Sequence, residues 1–164
     1  MNVLIINLTR FGDLLQTQPI IAGLKSRGHR VGLVCLANFA SVAALLTDVD
    51  RVFAFPGAGL LAGLDKDWRL AVRDLEGFRQ AVFADFLPDE TVNLTPSVSS
   101  RLLAYGLTPE GGKTTGFTVD EFGFNADTSS WAAFLQLAGA NRGASPFNVC
   151  DLFRRATCLD REGN

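Results

Sequence analysis

Near its start the chain reads VLIINLTRFGD over Val3–Asp13, an apolar run that passes directly into a polar turn. Val3–Ile6 contains no polar residue and is mostly β-branched, which is typical of a strand buried on both faces of a parallel sheet. The turn is Asn7–Gly12, and the spacing of apolar residues after it predicts a helix over Asp13–Arg27. Pro19 lies inside that helix, where it either kinks the helix or marks its true first turn.

The alternation of strand and helix continues after this first unit. Gly28 closes the helix, as glycine often does. Val31–Leu36 and Val52–Phe55 are predicted strands, Phe39–Leu46 is a short helix between them, and Pro56–Gly63 is a loop. A β-α-β-α-β order predicts a parallel sheet with helices on both faces, which is a Rossmann-like, doubly wound α/β fold.

The remaining residues extend the same pattern with weaker signals. We expect the first four strands to lie in the order 3-2-1-4, the order that places the fourth strand beside the first. No repeat, low-complexity tract or long linker divides the chain, so residues 1–164 are interpreted as one domain. The further predicted elements are helices over Trp68–Phe86, Val98–Tyr105, Ser130–Leu137 and Phe147–Ala156, and strands over Glu90–Leu94 and Thr115–Val119.

Composition argues against several classes of function. Lys plus Arg is 15 and Asp plus Glu is 17, and a net charge of −2 disfavours a general nucleic-acid binder. The chain has three unpaired-looking cysteines and one histidine, so neither a disulfide framework nor a metal site is expected. No apolar run approaches the roughly 18 residues that span a bilayer. The amino terminus does not resemble a signal peptide, which favours a cytoplasmic protein.

The turn after the first strand is the first candidate site, because ligands of doubly wound sheets bind at the carboxyl ends of the strands. It lacks both the G-x-G-x-x-G dinucleotide motif and a Walker A loop. It does contain Gly12 followed by Asp13 at the predicted helix start, with Arg10 three residues before the aspartate. The N–H groups and dipole of a helix N-terminus favour an ionised carboxylate. Asp13 could therefore accept a proton from a bound hydroxyl, or it could simply cap the helix.

Arg10–Pro19 follows the pattern R-x-G-D-x-x-x-T-x-P, directly after the first strand. This resembles the heptosyltransferase family (glycosyltransferase family 9), inverting enzymes that add heptose to the inner core of lipopolysaccharide. Further pieces of the chain are similar to the family in order and spacing. They are VNLTPS at Val92–Ser97, SSRLL at Ser99–Leu103, WAAFL at Trp131–Leu135 and PFNVCDLF at Pro146–Phe153.

The resemblance implies a fold and a division of labour. Family members are two-domain GT-B glycosyltransferases, in which an N-terminal Rossmann-like domain holds the acceptor and a C-terminal domain binds the sugar nucleotide, typically ADP-heptose. The resemblance covers nearly the whole of this chain but only about the first half of a family member. Residues 1–164 are thus expected to be the acceptor-binding domain, without the donor-binding domain and inactive alone.

The resemblance also implies partners and a location. The acceptor would be a lipopolysaccharide core of the Kdo–lipid A type, reached at the inner face of the inner membrane with peripheral membrane contact. The donor, ADP-heptose, would bind through the other domain. The family needs no metal and no other cofactor.

Residue by residue, the resemblance implies that Asp13 is the general base, which takes the proton from the acceptor hydroxyl as that oxygen attacks the anomeric carbon with inversion. General base catalysis contributes about 10²–10⁴-fold in rate. The acceptor carries phosphate and carboxylate groups, which guanidinium groups bind well. The predicted acceptor-binding residues are Thr9, Arg10 and Gly12 in the first turn, Asn93, Thr95 and Ser97 beyond the fourth strand, and Lys66, Arg69, Arg101 and Lys113 as a basic rim.

Each assignment has a structural alternative. Arg10 could pair with a nearby carboxylate, and Thr17 could pack in the helix instead of meeting a ligand. The polar residues beyond the fourth strand could only form a turn and cap the next helix. The basic residues could be solvated surface charges. Leu60, Leu61 and Leu64 could touch lipid or simply pack.

The chain as a whole also has an alternative interpretation. A Rossmann-like domain can be a non-catalytic binding or interaction module. A closing helix packed over the crevice in front of Asp13 would favour that interpretation, because it would exclude an acceptor.

Overall fold

A single sheet of parallel strands organises the molecule. The computed structural model describes residues 1–140, with side chains to residue 137, and residues 145–157. In the order β3-β2-β1-β4-β5, the strands are β1 (Asn2–Ile6), β2 (Arg30–Leu36), β3 (Arg51–Phe55), β4 (Glu90–Asn93) and β5 (Lys113–Gly116). The predicted 3-2-1-4 order and the doubly wound α/β class are confirmed.

Helices connect the strands and cover both faces of the sheet. No helix of the described residues is both long enough and apolar enough to cross a membrane. A short 3₁₀ helix over Ala37–Phe39 follows β2. The α-helices are α1 (Phe11–Leu15), α2 (Gln18–Ser26), α3 (Ala40–Ala43), α4 (Gly57–Leu64), α5 (Trp68–Phe86), α6 (Val98–Gly106), α7 (Ser130–Ala140) and α8 (Val149–Ala156).

The central strand β1 supplies both hydrophobic cores because successive side chains of a strand point to opposite faces. Val3 and Ile5 pack with α1, α2 and α3 on one face, where Phe153 of α8 joins the same cluster. Leu4 and Ile6 pack with α5 and α6 on the other face. All four residues of this run are almost fully buried, as the sequence predicts.

The predicted helix over Asp13–Arg27 is two helices, α1 and α2. Pro19 is in the first turn of α2, where its missing N–H removes no helical hydrogen bond. The interpretation of Pro19 as a first-turn residue is therefore confirmed. Gly28 follows α2 with a φ of +77°, a left-handed conformation that favours glycine.

The prediction of a loop over Pro56–Gly63 is wrong, because Gly57–Leu64 forms α4. Its glycines suggested a loop, but the leucines and alanines between them are good helix formers. Packing against α5 supplies the remaining stabilisation of this helix. A Cβ added at Gly63 would meet the Ala71 Cβ at 3.8 Å, so the two helices approach closely at this glycine.

The fifth strand begins and ends earlier than the predicted Thr115–Val119. Gly116 ends β5 with a φ of +87°, a left-handed conformation that favours glycine, and a Cβ there would clash with the Asn93 carbonyl oxygen. The chain leaves the sheet at this point. Val119 instead forms an isolated antiparallel bridge with Asn125.

Candidate functional site

An open cleft of about 340 Å³ lies where β1 and β2 end. In a doubly wound sheet this edge is where ligands bind. The cleft combines apolar walls with two charged side chains. It is lined by Leu8, Thr9, Arg10 and Asp13 after β1, and by Leu36 and Phe39 at the end of β2 and beyond.

Asn7 holds the turn that carries the polar side of the cleft. Its side chain is fully buried directly after β1. The Asn7 Oδ1 accepts hydrogen bonds from the Thr9 N–H, at 3.1 Å, and from the Thr9 hydroxyl. The Asn7 Nδ2 donates to the Asp13 carbonyl oxygen at 3.2 Å and to Thr17 Oγ1 at 2.8 Å. One amide thus ties the strand end, the turn and the start of α2 together, and it fixes the backbone at Asp13.

The two charged side chains of this turn have no partner among the described residues. Asp13 lies in the first turn of α1 and is half-buried, while Arg10 immediately precedes α1 and is exposed. Within the described part of the chain, neither the Asp13 carboxylate nor the Arg10 guanidinium forms a hydrogen bond or an ion pair. A Cβ added at Gly12 would meet nothing within 4 Å, so the space at this glycine, the residue before Asp13, is open. Both charges are accessible to a ligand in the cleft.

The turn beyond β4 has its polar groups engaged within the protein. The buried Asn93 Oδ1 accepts from the Thr95 N–H at 3.0 Å, and its Nδ2 donates to the Phe117 carbonyl oxygen at 2.8 Å. Thr95 Oγ1 accepts from the Leu8 N–H at 2.9 Å and so links this turn to the cleft. Ser97 caps α6, with its hydroxyl accepting from the backbone N–H of that helix's first turn. These contacts are the ones expected from the structural alternative, in which the three residues form a turn and cap the next helix.

Arg101 does not lie on a basic rim, and that prediction is wrong. Its side chain is fully buried over the Phe117 ring and is paired with the Asp127 carboxylate through both terminal nitrogens. The remaining donors bond to oxygen atoms: Nη1 to the Thr118 carbonyl at 2.9 Å, Nε to the Pro96 carbonyl at 3.1 Å and Nη2 to Gln136 Oε1 at 3.3 Å. Arg101 therefore fastens the segments after β4 and β5 to α6.

Lys113 is also misplaced by the sequence-based prediction. It is the first residue of β5, and its ammonium lies 3.3 Å from the carboxylate of Glu90, the first residue of β4. Both residues are at the amino ends of their strands. Since the cleft opens at the carboxyl ends, Lys113 is at the opposite edge of the sheet from it.

Lys66 and Arg69 lie in the segment that follows β3, around the start of α5, and both are exposed. Helix α5 has 19 residues and is about 28 Å long, whereas a strand of five residues spans about 17 Å. The helix returns to the amino end of β4, so its first turns extend beyond the carboxyl edge of the sheet. Neither residue lines the cleft, so the assignment of Lys66 and Arg69 to an acceptor-binding rim stays a prediction.

The other side chains that could bind a ligand or react have structural roles. Cys35 is in the core, where burial raises the pKa of its thiol. Thr17 is buried against Asn7, as the packing alternative predicts. In the parts of the chain that the structure describes, no group of three His, Cys, Asp or Glu side chains could hold a metal ion.

Sequence reasoning missed the role of Asn7 and the contributions of Leu36, Phe39 and Asp127. A signal for Asn7 was available, because an asparagine directly after a buried strand must satisfy a buried amide. The tripeptide Asn-Leu-Thr also recurs at the end of β4. Nothing local marks Asp127 as the partner of an arginine 26 residues earlier.

Comparison with solved structures defines the type of fold. Escherichia coli heptosyltransferase WaaC with ADP superposes with a TM-score of 0.65 and 17% identity, over 99% of this chain and 48% of that chain. The fold is that of a glycosyltransferase domain. WaaC with ADP-2-deoxy-2-fluoro heptose gives a TM-score of 0.64 and 18% identity, over 100% of this chain and 50% of that chain. The chain thus spans about half the length of these E. coli structures.

A third structure supports the same fold. A glycosyltransferase of family 9 from Veillonella parvula DSM 2008 matches with a TM-score of 0.59 and 13% identity, over 96% of this chain and 40% of that chain. No protein-family model and no curated protein matches the sequence. The likeness is one of fold, and it agrees with the fold that the Arg10–Pro19 pattern implied.

Proposed function

We propose that this chain is the acceptor-binding domain of an inverting glycosyltransferase of the heptosyltransferase type, with Asp13 as its general base. One observation carries the proposal. The Asp13 carboxylate lines the open cleft at the carboxyl ends of β1 and β2, without a partner among the described residues, in a fold shared with WaaC. An unpaired carboxylate at this edge is positioned to accept a proton from a bound hydroxyl.

The chemistry follows from the side chains of the first turn. The acceptor hydroxyl gives its proton to an Asp13 carboxylate oxygen as its own oxygen forms a bond to the anomeric carbon. The bond from that carbon to the nucleotide diphosphate breaks on the opposite face, and the diphosphate leaves with the bonding electron pair. Arg10 binds a phosphate or carboxylate of the acceptor through its guanidinium. The Thr9 hydroxyl donates to Asn7, so its oxygen is left to accept from a sugar hydroxyl.

The substrate assignment rests on the Arg10–Pro19 pattern together with the two WaaC structures, one of which holds ADP-2-deoxy-2-fluoro heptose. We infer ADP-heptose as the donor and a lipopolysaccharide core of the Kdo–lipid A type as the acceptor. The donor would bind to a second domain. Transfer would take place at the cytoplasmic face of the inner membrane.

A helix closing the crevice would have favoured the alternative of a non-catalytic module. Helix α8 instead packs against α2, and Phe153 of α8 lies in the hydrophobic core. Among the α7 and α8 residues whose side chains the structure describes, none lines the cleft. Among the described residues nothing covers the approach to Asp13, which favours a site that admits an acceptor.

Calorimetric titration tests the proposal. The chain is titrated with a de-acylated, Kdo-terminated core acceptor and, separately, with ADP-heptose. We expect the acceptor to bind and ADP-heptose to give no heat. Asp13→Asn is expected to weaken acceptor binding severalfold, because an amide accepts the hydroxyl proton less well than a carboxylate.

Asp85→Asn is the matched control, since Asp85 is an exposed carboxylate near the end of α5 and pairs with Arg51 at the other edge of the sheet. It should leave acceptor binding unchanged. Binding of ADP-heptose alone, or equal losses in the two variants, would contradict the proposed division of labour.

A further inference from the structure

The lining of the cleft has a polar part and an apolar part, and they come from different segments. The turn after β1 supplies Thr9, Arg10 and Asp13, which carry the chemistry proposed above. The end of β2 and the 3₁₀ helix beyond it supply Leu36 and Phe39, and no polar side chain. The reaction itself gives no reason for an aromatic ring and a leucine at this place.

Phe39 is held at the cleft by the hydrophobic core. It is the last residue of the 3₁₀ helix and directly precedes α3. Its side chain is half-buried, with one part packed against the hydrophobic cluster of the α1–α3 face and another part lining the cleft. Helix α1, which carries Asp13, packs against α3. The phenyl ring is therefore preformed beside the carboxylate, so binding on it costs little conformational entropy.

Leu36 extends the apolar surface and is also fixed in place. It is the last residue of β2 and pairs with Phe55 of β3. A Cβ added at Gly57 would lie 3.2 Å from Leu36 Cδ2, so the leucine side chain fills the space that this glycine leaves at the start of α4. The apolar part of the lining is thus a fixed surface against which a ligand can be positioned.

The charges and the size of the cleft narrow the class of ligand. Among the lining residues, Arg10 and Asp13 carry one charge each and of opposite sign. A nucleoside diphosphate would place several negative charges near the Asp13 carboxylate, with Arg10 alone to offset them. A ligand with one acidic group pairs with Arg10 and leaves Asp13 to a hydroxyl. A volume of about 340 Å³ is close to the lower limit of small-molecule sites, ~300 Å³, which suits one sugar ring.

A sugar ring has the two kinds of surface that this cleft offers. Its hydroxyl groups lie around the rim, whereas its faces consist of C–H bonds whose hydrogens carry a partial positive charge. The face of a phenyl ring is electron-rich and attracts such hydrogens. An open-chain sugar has the same hydroxyls but no rigid face, so an aromatic platform favours the cyclic form.

We propose that Phe39, with Leu36 beside it, is the platform on which the ring of the acceptor sugar stacks, and that it makes the site selective for a cyclic sugar acid. The acidic group binds to Arg10, and the stacked face turns a rim hydroxyl toward Asp13. The inference rests on the proposed function, because the ring in question is that of the acceptor.

Calorimetric titration with the de-acylated, Kdo-terminated acceptor tests the platform. Phe39→Leu retains an apolar side chain and removes the ring, so the affinity should fall about three- to tenfold, the size of a ring-stacking contribution. The matched control is Phe83→Leu. Phe83 is also half-buried, but it packs against the hydrophobic cluster of the opposite face, on α5. This variant should bind the acceptor like the unaltered chain.

A pair of small probes tests whether Phe39 recognises the ring itself. The methyl glycoside of Kdo is locked as a ring, whereas Kdo reduced at its keto group is an open chain with the same carboxylate. Each displaces the acceptor in competition titrations with the unaltered chain and with Phe39→Leu. The ring form should compete better with the unaltered chain, and Phe39→Leu should reduce that advantage about three- to tenfold.

Three results would overturn the platform: unchanged acceptor affinity in Phe39→Leu, equal losses in the two phenylalanine variants, or an advantage of the ring form that Phe39→Leu does not alter. Binding of ADP-heptose that Phe39→Leu abolishes would also overturn it and would assign the phenyl ring to a nucleobase.

The outcomes separate this inference from the proposed function. If the acceptor binds and depends on Asp13 but not on Phe39, the platform falls and the proposed function stands. If the methyl glycoside depends on Phe39 while Asp13→Asn changes nothing, the platform stands and the assignment of Asp13 falls. Absence of binding by both the acceptor and the methyl glycoside overturns both.

Discussion

Two turns of this molecule are built from the same tripeptide and differ in what they do. Asn7–Thr9 follows β1, and Asn93–Thr95 begins at the last residue of the adjacent strand, β4. Both asparagines are fully buried, and each Oδ1 accepts the N–H of the threonine two residues later, at 3.1 Å and 3.0 Å. The asparagine side chain thereby shapes the backbone in the same way at both strand ends.

The difference lies in the groups around each turn. Thr9 lines the cleft, and the charges next to it on Arg10 and Asp13 have no partner within the described residues. Thr95 instead accepts from a backbone N–H, and the arginine that follows its turn, Arg101, is buried against a carboxylate. The shared backbone motif therefore does not distinguish the two turns. The charged groups that the fold leaves unpaired distinguish them, and they indicate which turn faces a ligand.

The largest expected effect separates the two aspartates, Asp13 and Asp127. In an enzyme that includes the donor-binding domain, Asp13→Asn should lower kcat by about 10²–10⁴-fold, because the proton acceptor is removed. It should leave the thermal unfolding temperature nearly unchanged. Asp127→Asn should do the opposite, with a lower unfolding temperature and nearly normal kcat. Rates with ADP-heptose and a Kdo-terminated acceptor, measured on folded protein, check both, and a normal rate for Asp13→Asn would end its assignment as base.

The two arginines should differ almost as strongly in stability. Arg101→Met breaks a buried ion pair and leaves carbonyl oxygens without donors, so we expect the free energy of unfolding to fall by about 3–5 kcal/mol. Arg10→Met changes an exposed side chain and should change it by less than about 0.5 kcal/mol. Urea unfolding measures both. Similar values for the two variants would mean that Arg10 is paired like Arg101.

The two asparagines provide a closer test. Asn7→Ala and Asn93→Ala each remove a buried amide and leave its hydrogen-bond partners unsatisfied. Each should lower the free energy of unfolding by about 1–3 kcal/mol. Only Asn7→Ala should also weaken acceptor binding, since only Asn7 holds the Asp13 backbone. Calorimetric titration at a temperature where both variants are folded distinguishes them. Equal losses of affinity would show that the first turn has no special relation to the ligand.

The smallest effects should come from the threonines. Thr95→Val leaves the Leu8 N–H without its acceptor and should cost about 1–2 kcal/mol. Thr9→Val removes a partly exposed hydroxyl, so its effect on stability should be below about 0.5 kcal/mol, with a small loss of acceptor affinity. Denaturant unfolding and titration check the pair. A reversed order of stabilities would mean that the Thr9 hydroxyl, rather than that of Thr95, supports the fold.

Sequence patterns predicted what is periodic and local in this protein. The apolar run Val3–Ile6, the strand order and the bounds of Trp68–Phe86 all follow from side-chain periodicity, and the structure confirms them. The helical state of Gly57–Leu64 was not predictable from its glycines, because contact with α5 stabilises it. The burial of Arg101 depends on Asp127, and the edge occupied by Lys113 depends on where β5 starts. Both are properties of the tertiary fold.

The placement of Asp13 was predictable for a different reason. Asp13 lies in the first turn of the helix that follows β1, and in a doubly wound sheet this connection lies at the ligand-binding edge, so topology alone locates it. The support beneath it was not predictable, because the amide of Asn7 reaches three separate parts of the chain at once.

The hydrogen bond from the Leu8 N–H to Thr95 Oγ1 joins the two turns across neighbouring strands. The Leu8 amide proton can exchange with solvent only when that bond opens, and opening it separates the cleft wall from the turn that stabilises it. The exchange rate of this one proton therefore reports how often the cleft loses its support, and any ligand that closes on the first turn slows it.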